Sequence, residues 1–465
     1  MAAELAPAVL RRLHDALPYE RLLLDPAERL AYGYDNSRRV AMPDAVALAE
    51  SVDEVQALID LCRDHGLPLV ARGRGTNTTG ATVPIEGGVV LSLERMNRVL
   101  RVSPGDRLLE CEAGALNGDV QREAAKHGLF WAPDPTSAVY STVGGNLACG
   151  AGGPHAVKYG TARDNVLGLR AIAGNGTPIR SGCYTTKGVV GYDLTRLLIG
   201  SEGTLAVITR AALKLLPKPE TTRTLRAAYR DVEAAAAAVA RLMAQPETPS
   251  SLEFLDGDAV QLAQAHRDCG LPADCGALLL IECDGSQAGI AAVVAAISAA
   301  AAGDGLIDLR AARSEAEADD LWAARKALSP ALRKLAPKKV NEDVAVPVTR
   351  LPELIRGVGV LSKRHGIRIV CFGHAGNGNI HVNLLANPDD PAQMTAIEAC
   401  LHAVFRLVLS LEGTLSGEHG VGIDKRAFVA WEIDAPTLSV MHAVKRSFDP
   451  AGILNPGKAL PAAPN

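Results

Sequence analysis

The chain has 465 residues, 48% hydrophobic and 22% charged, with 48 Lys+Arg against 52 Asp+Glu and a formal net charge of −4. At roughly 100 to 200 residues per domain, that length implies two or three domains of ordinary globular composition and excludes a small binding module. Without a basic excess to gather on one face, no DNA or RNA partner is expected.

The first 24 residues are amphipathic but broken by Arg11, Arg12, His14 and Asp15, which suits neither a signal peptide nor a membrane anchor. No apolar run reaches the roughly 18 to 20 residues that cross a bilayer, so no transmembrane segment is expected. Residues 53–65 place apolar side chains at helical spacing and stop at Gly66 and Pro68; the next residues, to Arg72, read as a short buried strand. That strand enters a glycine loop, Arg72-Gly73-Arg74-Gly75-Thr76-Asn77-Thr78-Thr79-Gly80-Ala81. Glycines admit positive φ and let backbone N–H groups approach an anion, so the loop can nest a phosphate. It is not a Rossmann fingerprint, which needs a third glycine where Thr78 stands and a following helix, and no Gly-Lys-Ser/Thr closes it as a Walker loop. Taken alone, a tight surface turn explains it equally well.

From Gly87 to about Ala206, short apolar runs separated by Gly, Pro, Asn and Asp make the chain β-rich, with helical intervals at 115–128 and 142–149. This stretch repeats the small-residue theme around Pro135-Thr136, Gly144-Gly145-Asn146, Gly150, Thr161, Gly191 and Glu202-Gly203. Several such loops in one domain let main chain lie against a large flat ligand carrying a diphosphate, a dinucleotide held without a Rossmann fold.

Two prolines in residues 213–222 mark a domain boundary, after which strands and alanine-rich helices alternate. The pattern predicts an antiparallel sheet covered on one face. Nine cysteines, none in a Cys-x-x-Cys pair, read as reduced, mostly buried thiols of a cytoplasmic protein, with Cys269 and Cys275 structural. Near the carboxyl end, Gly373-His374-Ala375-Gly376-Asn377-Gly378-Asn379-Ile380-His381-Val382-Asn383 joins two apolar runs through turn residues. A hairpin-like bend would return His381 beside His374, whereas one straight strand would point them to opposite faces. With Glu418 in Ser416-Gly417-Glu418-His419, two imidazoles and a carboxylate suit a catalytic divalent ion such as Zn²⁺ or Mn²⁺. A hydrogen-bonded histidine cluster without an ion is the alternative.

The order of these segments resembles the FAD-linked D-2-hydroxyacid dehydrogenases and glycolate oxidase flavin subunits of the vanillyl-alcohol oxidase/para-cresol methylhydroxylase superfamily, over nearly the whole chain. The resemblance implies an α+β fold. A two-subdomain FAD-binding domain of the para-cresol methylhydroxylase type would span 1–215, an α+β cap with an antiparallel sheet 216–447, and a closing segment 448–465 would return to the flavin. It assigns the FAD pyrophosphate to Arg72, Gly73, Gly75, Thr76, Asn77, Thr79 and Gly80. Pro135, Thr136, Gly144, Gly145, Asn146, Gly150 and Thr161 would cover the isoalloxazine and ribityl, Glu202, Gly203 and Ile208 the adenosine half, and Asn455 would lie in the closing segment. Arg74 and Asn77 depart from the commoner glycines. With no histidine placed for attachment, FAD is expected to be non-covalent.

The same resemblance gives His374, His381 and Glu418 to the metal, Asn383 to substrate binding, His419 to the role of base and Arg325 to the substrate carboxylate. Asn377 stands where relatives often have Asp. The implied reaction oxidises a small D-2-hydroxy acid to the 2-oxo acid, with D-lactate favoured and D-2-hydroxyglutarate and glycolate as alternatives. A metal-dependent hydrolase and a non-catalytic flavin subunit are the rival classes. The electron acceptor would be a quinone, cytochrome or electron-transfer flavoprotein. A homodimer is one assembly option, and a position peripheral to the inner membrane is the alternative to a freely cytoplasmic one.

Overall fold

The computed structural model describes residues 5–266 and 270–463. The chain divides into two units, residues 1–153, 160–218 and 418–465 forming the first and residues 154–159 and 219–417 the second. The expected boundary near 215 falls at 218, because Leu216–Pro217 still pairs with Leu129–Phe130 in the first unit. The return expected at 448 occurs at Glu418. Residues 421–423 are tied into the first unit, where Val421 and Gly422 donate their N–H groups to the Glu202 carboxylate and Ile423 donates to the Thr79 carbonyl. Glu418 and His419 therefore belong to the first unit and His374 and His381 to the second.

In the first unit, the helix Val52–His65 is set by its ends: the Ser51 hydroxyl accepts from Glu54 N, acidic residues fill the first turn, and Gly66 at φ 62 stops it. The strand Leu69–Arg72 follows, then the glycine loop, then Val89–Ser92. These two strands pair in parallel, which needs a crossover of a dozen or more residues, and the loop is that crossover. They join Ala45–Leu48 and Leu22–Leu23 in a four-stranded sheet. A second, antiparallel sheet orders Val99–Ser103, Leu108–Glu112, Ala206–Lys214, Val166–Ala173 and Pro178–Gly182. One core containing Leu58, Leu69, Leu91, Trp131, Leu147 and Leu213 serves both sheets.

The second unit is built on a seven-stranded antiparallel sheet that runs from the edge strand Leu306–Ala311 through Thr221–Tyr229, Ala277–Gly285, Ser251–Asp256, Arg368–His374 and Asn379–Ala386 to the other edge, Lys338–Ala345. One face packs Leu255, Leu280, Val370 and Phe372 under the helices Gly257–His266 and Glu315–Leu335. The alternate residues Leu252, Phe254, Leu279 and Cys371 are buried as well. The helices Leu351–His365 and Pro391–Ser410 pack against this sheet. The sheet is thus covered on both faces, not one, which is why its strands read as continuous apolar runs.

Among the described residues one helix, Pro391–Ser410, reaches the length and apolarity of a membrane-crossing helix, with a mean hydropathy of 1.3. Ile397, Cys400, Val404, Phe405 and Val408 form its buried stripe, while Glu398, His402 and Arg406 punctuate another side. A stripe of that kind is what a core helix needs. All eight described cysteines are free thiols, five of them buried, and Cys269 lies outside the described residues.

Candidate active site

In the first unit, a cleft of about 60 Å³ has walls largely of main chain and small side chains. Seven residues expected at the cofactor line it: Arg72, Gly73, Gly144, Gly145, Glu202, Gly203 and Ile208. Two of its glycines are required by close approach. A Cβ on Gly73 would stand 2.2 Å from the Thr142 hydroxyl, and one on Gly144 would stand 2.7 Å from the Ala113 Cβ. The Arg72 guanidinium lies 5.8 Å from the centre of the Tyr32 ring and donates to Thr82 Oγ1 at 3.2 Å, while burial lowers its pKa.

Other predicted cofactor residues hold the loops instead of lining this cleft. Asn77 Oδ1 accepts from Thr79 N, Thr79 Oγ1 and Ala81 N at 2.9 to 3.1 Å, and its Nδ2 donates to the His419 carbonyl at 3.0 Å. The departure from glycine at position 77 thus supplies an internal frame, between Gly75 at φ 64 and Gly80 at φ 80. Asn455 donates to the carbonyls of Ala81 and Glu202. Thr76, Pro135, Thr136 and Gly150 lie off the wall, and Thr161 Oγ1 donates to Asp164 within its own turn. Asn146 is buried, and its Nδ2 has no partner among the described residues.

These features fit FAD: a backbone-lined wall, two wall glycines whose Cβ would be driven into Thr142 and Ala113, and, next in sequence to Gly145 of the wall, a buried amide nitrogen without a partner among the described residues. Cys149 also lines the cleft, but burial pushes its thiol up to about 12, so it stays protonated.

In the second unit, the predicted bend is present. The strands Arg368–His374 and Asn379–Ala386 flank a turn at Ala375–Asn377, and Phe372 pairs in register with His381. The His374 and His381 rings meet edge to face, 5.2 Å between centres. His374 Nδ1 is hydrogen-bonded to Glu253 Oε1, and Glu253 Oε2 accepts from Arg325 Nε at 2.7 Å. Burial opposes ionisation of Glu253, yet His374 and Arg325 together hold its carboxyl well below the usual range. Asp343 Oδ1 stands 3.9 Å from His381 Nδ1 and accepts from Asn379 Nδ2 at 2.6 Å. Asn383 is fully buried; its Nδ2 donates to the carbonyls of Val370 and His381, and its Oδ1 has no partner among the described residues. Paired imidazoles backed by carboxylates are a donor set that suits a divalent metal.

Sequence reasoning missed Glu253 and Asp343. A lone acidic residue inside the apolar run Leu252-Glu253-Phe254-Leu255, and Asp343 inside a strand, were the available signals.

A main-chain-lined cleft in one unit and, in the other, an antiparallel sheet bearing paired imidazoles are the two parts of a flavoprotein of the para-cresol methylhydroxylase type. The solved structure of p-cresol methylhydroxylase with substrate bound matches the fold with a TM-score of 0.78 at 15% identity, covering 98% of this chain and 97% of that one. Residues 43–182 match the family model "FAD binding domain" and residues 218–459 match "FAD linked oxidases, C-terminal domain". The chain belongs to the FAD-linked oxidases, and it is an FAD-linked oxidoreductase. It is 38% identical over 433 residues to glycolate oxidase subunit GlcD of Bacillus subtilis, covering 93% of this chain and 92% of that one. It is 32% identical to D-lactate dehydrogenase of Anaerostipes hadrus, covering 90% of each. Membership sets aside the hydrolase alternative.

Proposed function

We propose that this chain oxidises a small D-2-hydroxy acid, D-lactate before others, to the 2-oxo acid. The observation that carries the reading is the Arg325–Glu253–His374 chain of contacts beside His381 in an FAD-linked oxidase. Arg325 binds the substrate carboxylate, the natural partner of a guanidinium fork. Asn383, with its buried Oδ1, assists in holding the substrate. His374, His381 and Glu418 hold a divalent ion, Zn²⁺ or Mn²⁺, which supplies Lewis acidity to the substrate hydroxyl when bound. His419 takes the hydroxyl proton. FAD, held non-covalently, supplies the hydride acceptor at N5 when bound. Electrons then leave to a quinone, a cytochrome or an electron-transfer flavoprotein.

The likeness to a glycolate oxidase subunit favours glycolate as the second substrate reading. One screen separates them. Purified protein should be yellow and should bleach under nitrogen, fastest with D-lactate; D-2-hydroxyglutarate and glycolate are run beside it, and no bleaching with any of the three rejects the proposal. Chelation should slow bleaching and added divalent ion restore it.

A further inference from the structure

Each histidine of the bend has a carboxylate built in across the sheet. Glu253 stands directly opposite His374 in the paired strands, and Asp343 directly opposite His381. Both carboxylates are fully buried, each near the Nδ1 of its histidine. Glu253 reaches further, because its second oxygen accepts from Arg325 Nε at 2.7 Å. The Arg325 guanidinium in turn lies over the Phe372 ring, 4.6 Å from its centre.

Resting on the functional reading above, we propose that Glu253 is a positioning residue that ties a metal-ligating histidine to the substrate-binding arginine. A carboxylate on Nδ1 keeps the ring proton there, turns Nε2 into the donor and raises its basicity. Engaging Nε of Arg325 fixes the plane of the guanidinium and leaves its outer edge for a substrate carboxylate. The surroundings argue against a role in packing alone. Leu252, Phe254 and Leu255 are apolar and buried, and a carboxylate among them is tolerated only while its charge is paired. Because one carboxylate serves both groups, loss of its charge weakens ion binding and substrate binding together.

The test compares FAD-loaded full-length protein with its Glu253→Gln variant, which keeps the size and removes the charge. Calorimetric titration with Mn²⁺ reads the ion site, the D-lactate dependence of bleaching reads KM, and thermal melting reads the fold. The Mn²⁺ Kd should rise by about 10- to 100-fold, and KM for D-lactate should rise by about 10-fold, as for a misaligned guanidinium. Glu253→Asp, with the charge restored on a shorter reach, should recover part of both. If Mn²⁺ affinity and KM stay within about twofold of the parent, or only one of them moves, the tie is overturned, whatever the melting temperature does. Should the Gln variant fail to fold, Glu253→Asp is scored by the same two criteria. A parent protein that neither binds Mn²⁺ nor bleaches overturns the functional reading and this inference together. A parent that does both, with silent Glu253 variants, overturns this inference alone.

Discussion

Asn455 donates from its side-chain nitrogen to the Glu202 carbonyl at 2.7 Å, and both residues hold positive φ, 43 and 52 respectively. The same nitrogen donates to the Ala81 carbonyl at 2.9 Å, and Asn455 Oδ1 accepts from Lys458 Nζ at 2.8 Å. One buried amide thus pins the loop after Gly80 to the segment that carries Glu202 and Gly203. Asparagine tolerates this backbone region where most side chains do not. Asn455→Ala should cost about 2 to 4 kcal/mol through unsatisfied buried groups and backbone strain. It should also release FAD on desalting, read as lost absorbance in the visible. Retained flavin with an unshifted melt would refute the pinning role.

Gly144 offers a cleaner probe of the cleft wall. A methyl there would overlap the Ala113 side chain and main chain, so Gly144→Ala should destabilise the protein by about 1 to 3 kcal/mol and weaken FAD retention. Gly105→Ala, where nothing lies within 4 Å, is the matched control and should leave both unchanged. Denaturant unfolding and flavin content report the two effects separately.

Asp256 gives the fold a pH dependence. Burial raises its carboxyl to about 7, although it accepts from Ala259 N and Cys371 N. The folded state therefore binds this proton more tightly than the unfolded chain, whose value is near 3.8. The stabilisation is complete below about pH 4 and is lost as pH rises through 7. Between pH 5 and pH 8 this group should remove about 2 kcal/mol of stability. Urea unfolding at the two values should show the decline, and Asp256→Asn should flatten it; an unaltered slope would assign the dependence elsewhere.

His419 presents its main-chain carbonyl to Asn77 Nδ2 at 3.0 Å, so the backbone there is anchored independently of the imidazole. His419→Ala should keep FAD bound and slow bleaching by about 10² to 10⁴, the usual weight of a general base. Stopped-flow traces at parental speed would remove His419 from that role.

What could be read from the sequence was local. The stop of Val52–His65 at Gly66, the loop between Leu69–Arg72 and Val89–Ser92, and the bend that returns His381 to His374 are all encoded by glycine, asparagine and proline within a few residues. Long-range pairings were not legible. Glu253 meets His374 across 121 positions of sequence, and nothing near either residue announces the register that joins them. The excursion of residues 154–159 into the second unit was hidden for the same reason: His155 reaches Glu282 at 3.0 Å, and Tyr159 reaches Asp284 at 2.6 Å. The side chain of Asn77 read as a departure from a pattern, because its five hydrogen bonds are properties of the folded loop.

The strand that leads into the glycine loop does not complete its pairing with anything nearby in sequence. Leu69 donates its N–H to the Ile453 carbonyl and accepts from Asn455 N, each at 2.8 Å, in a parallel bridge to Leu454. A ribosome must therefore deliver the chain as far as Asn455 before this edge can close. A product truncated before Ile453 would keep every glycine of the cleft wall and lose the clasp that holds the strand leading into them.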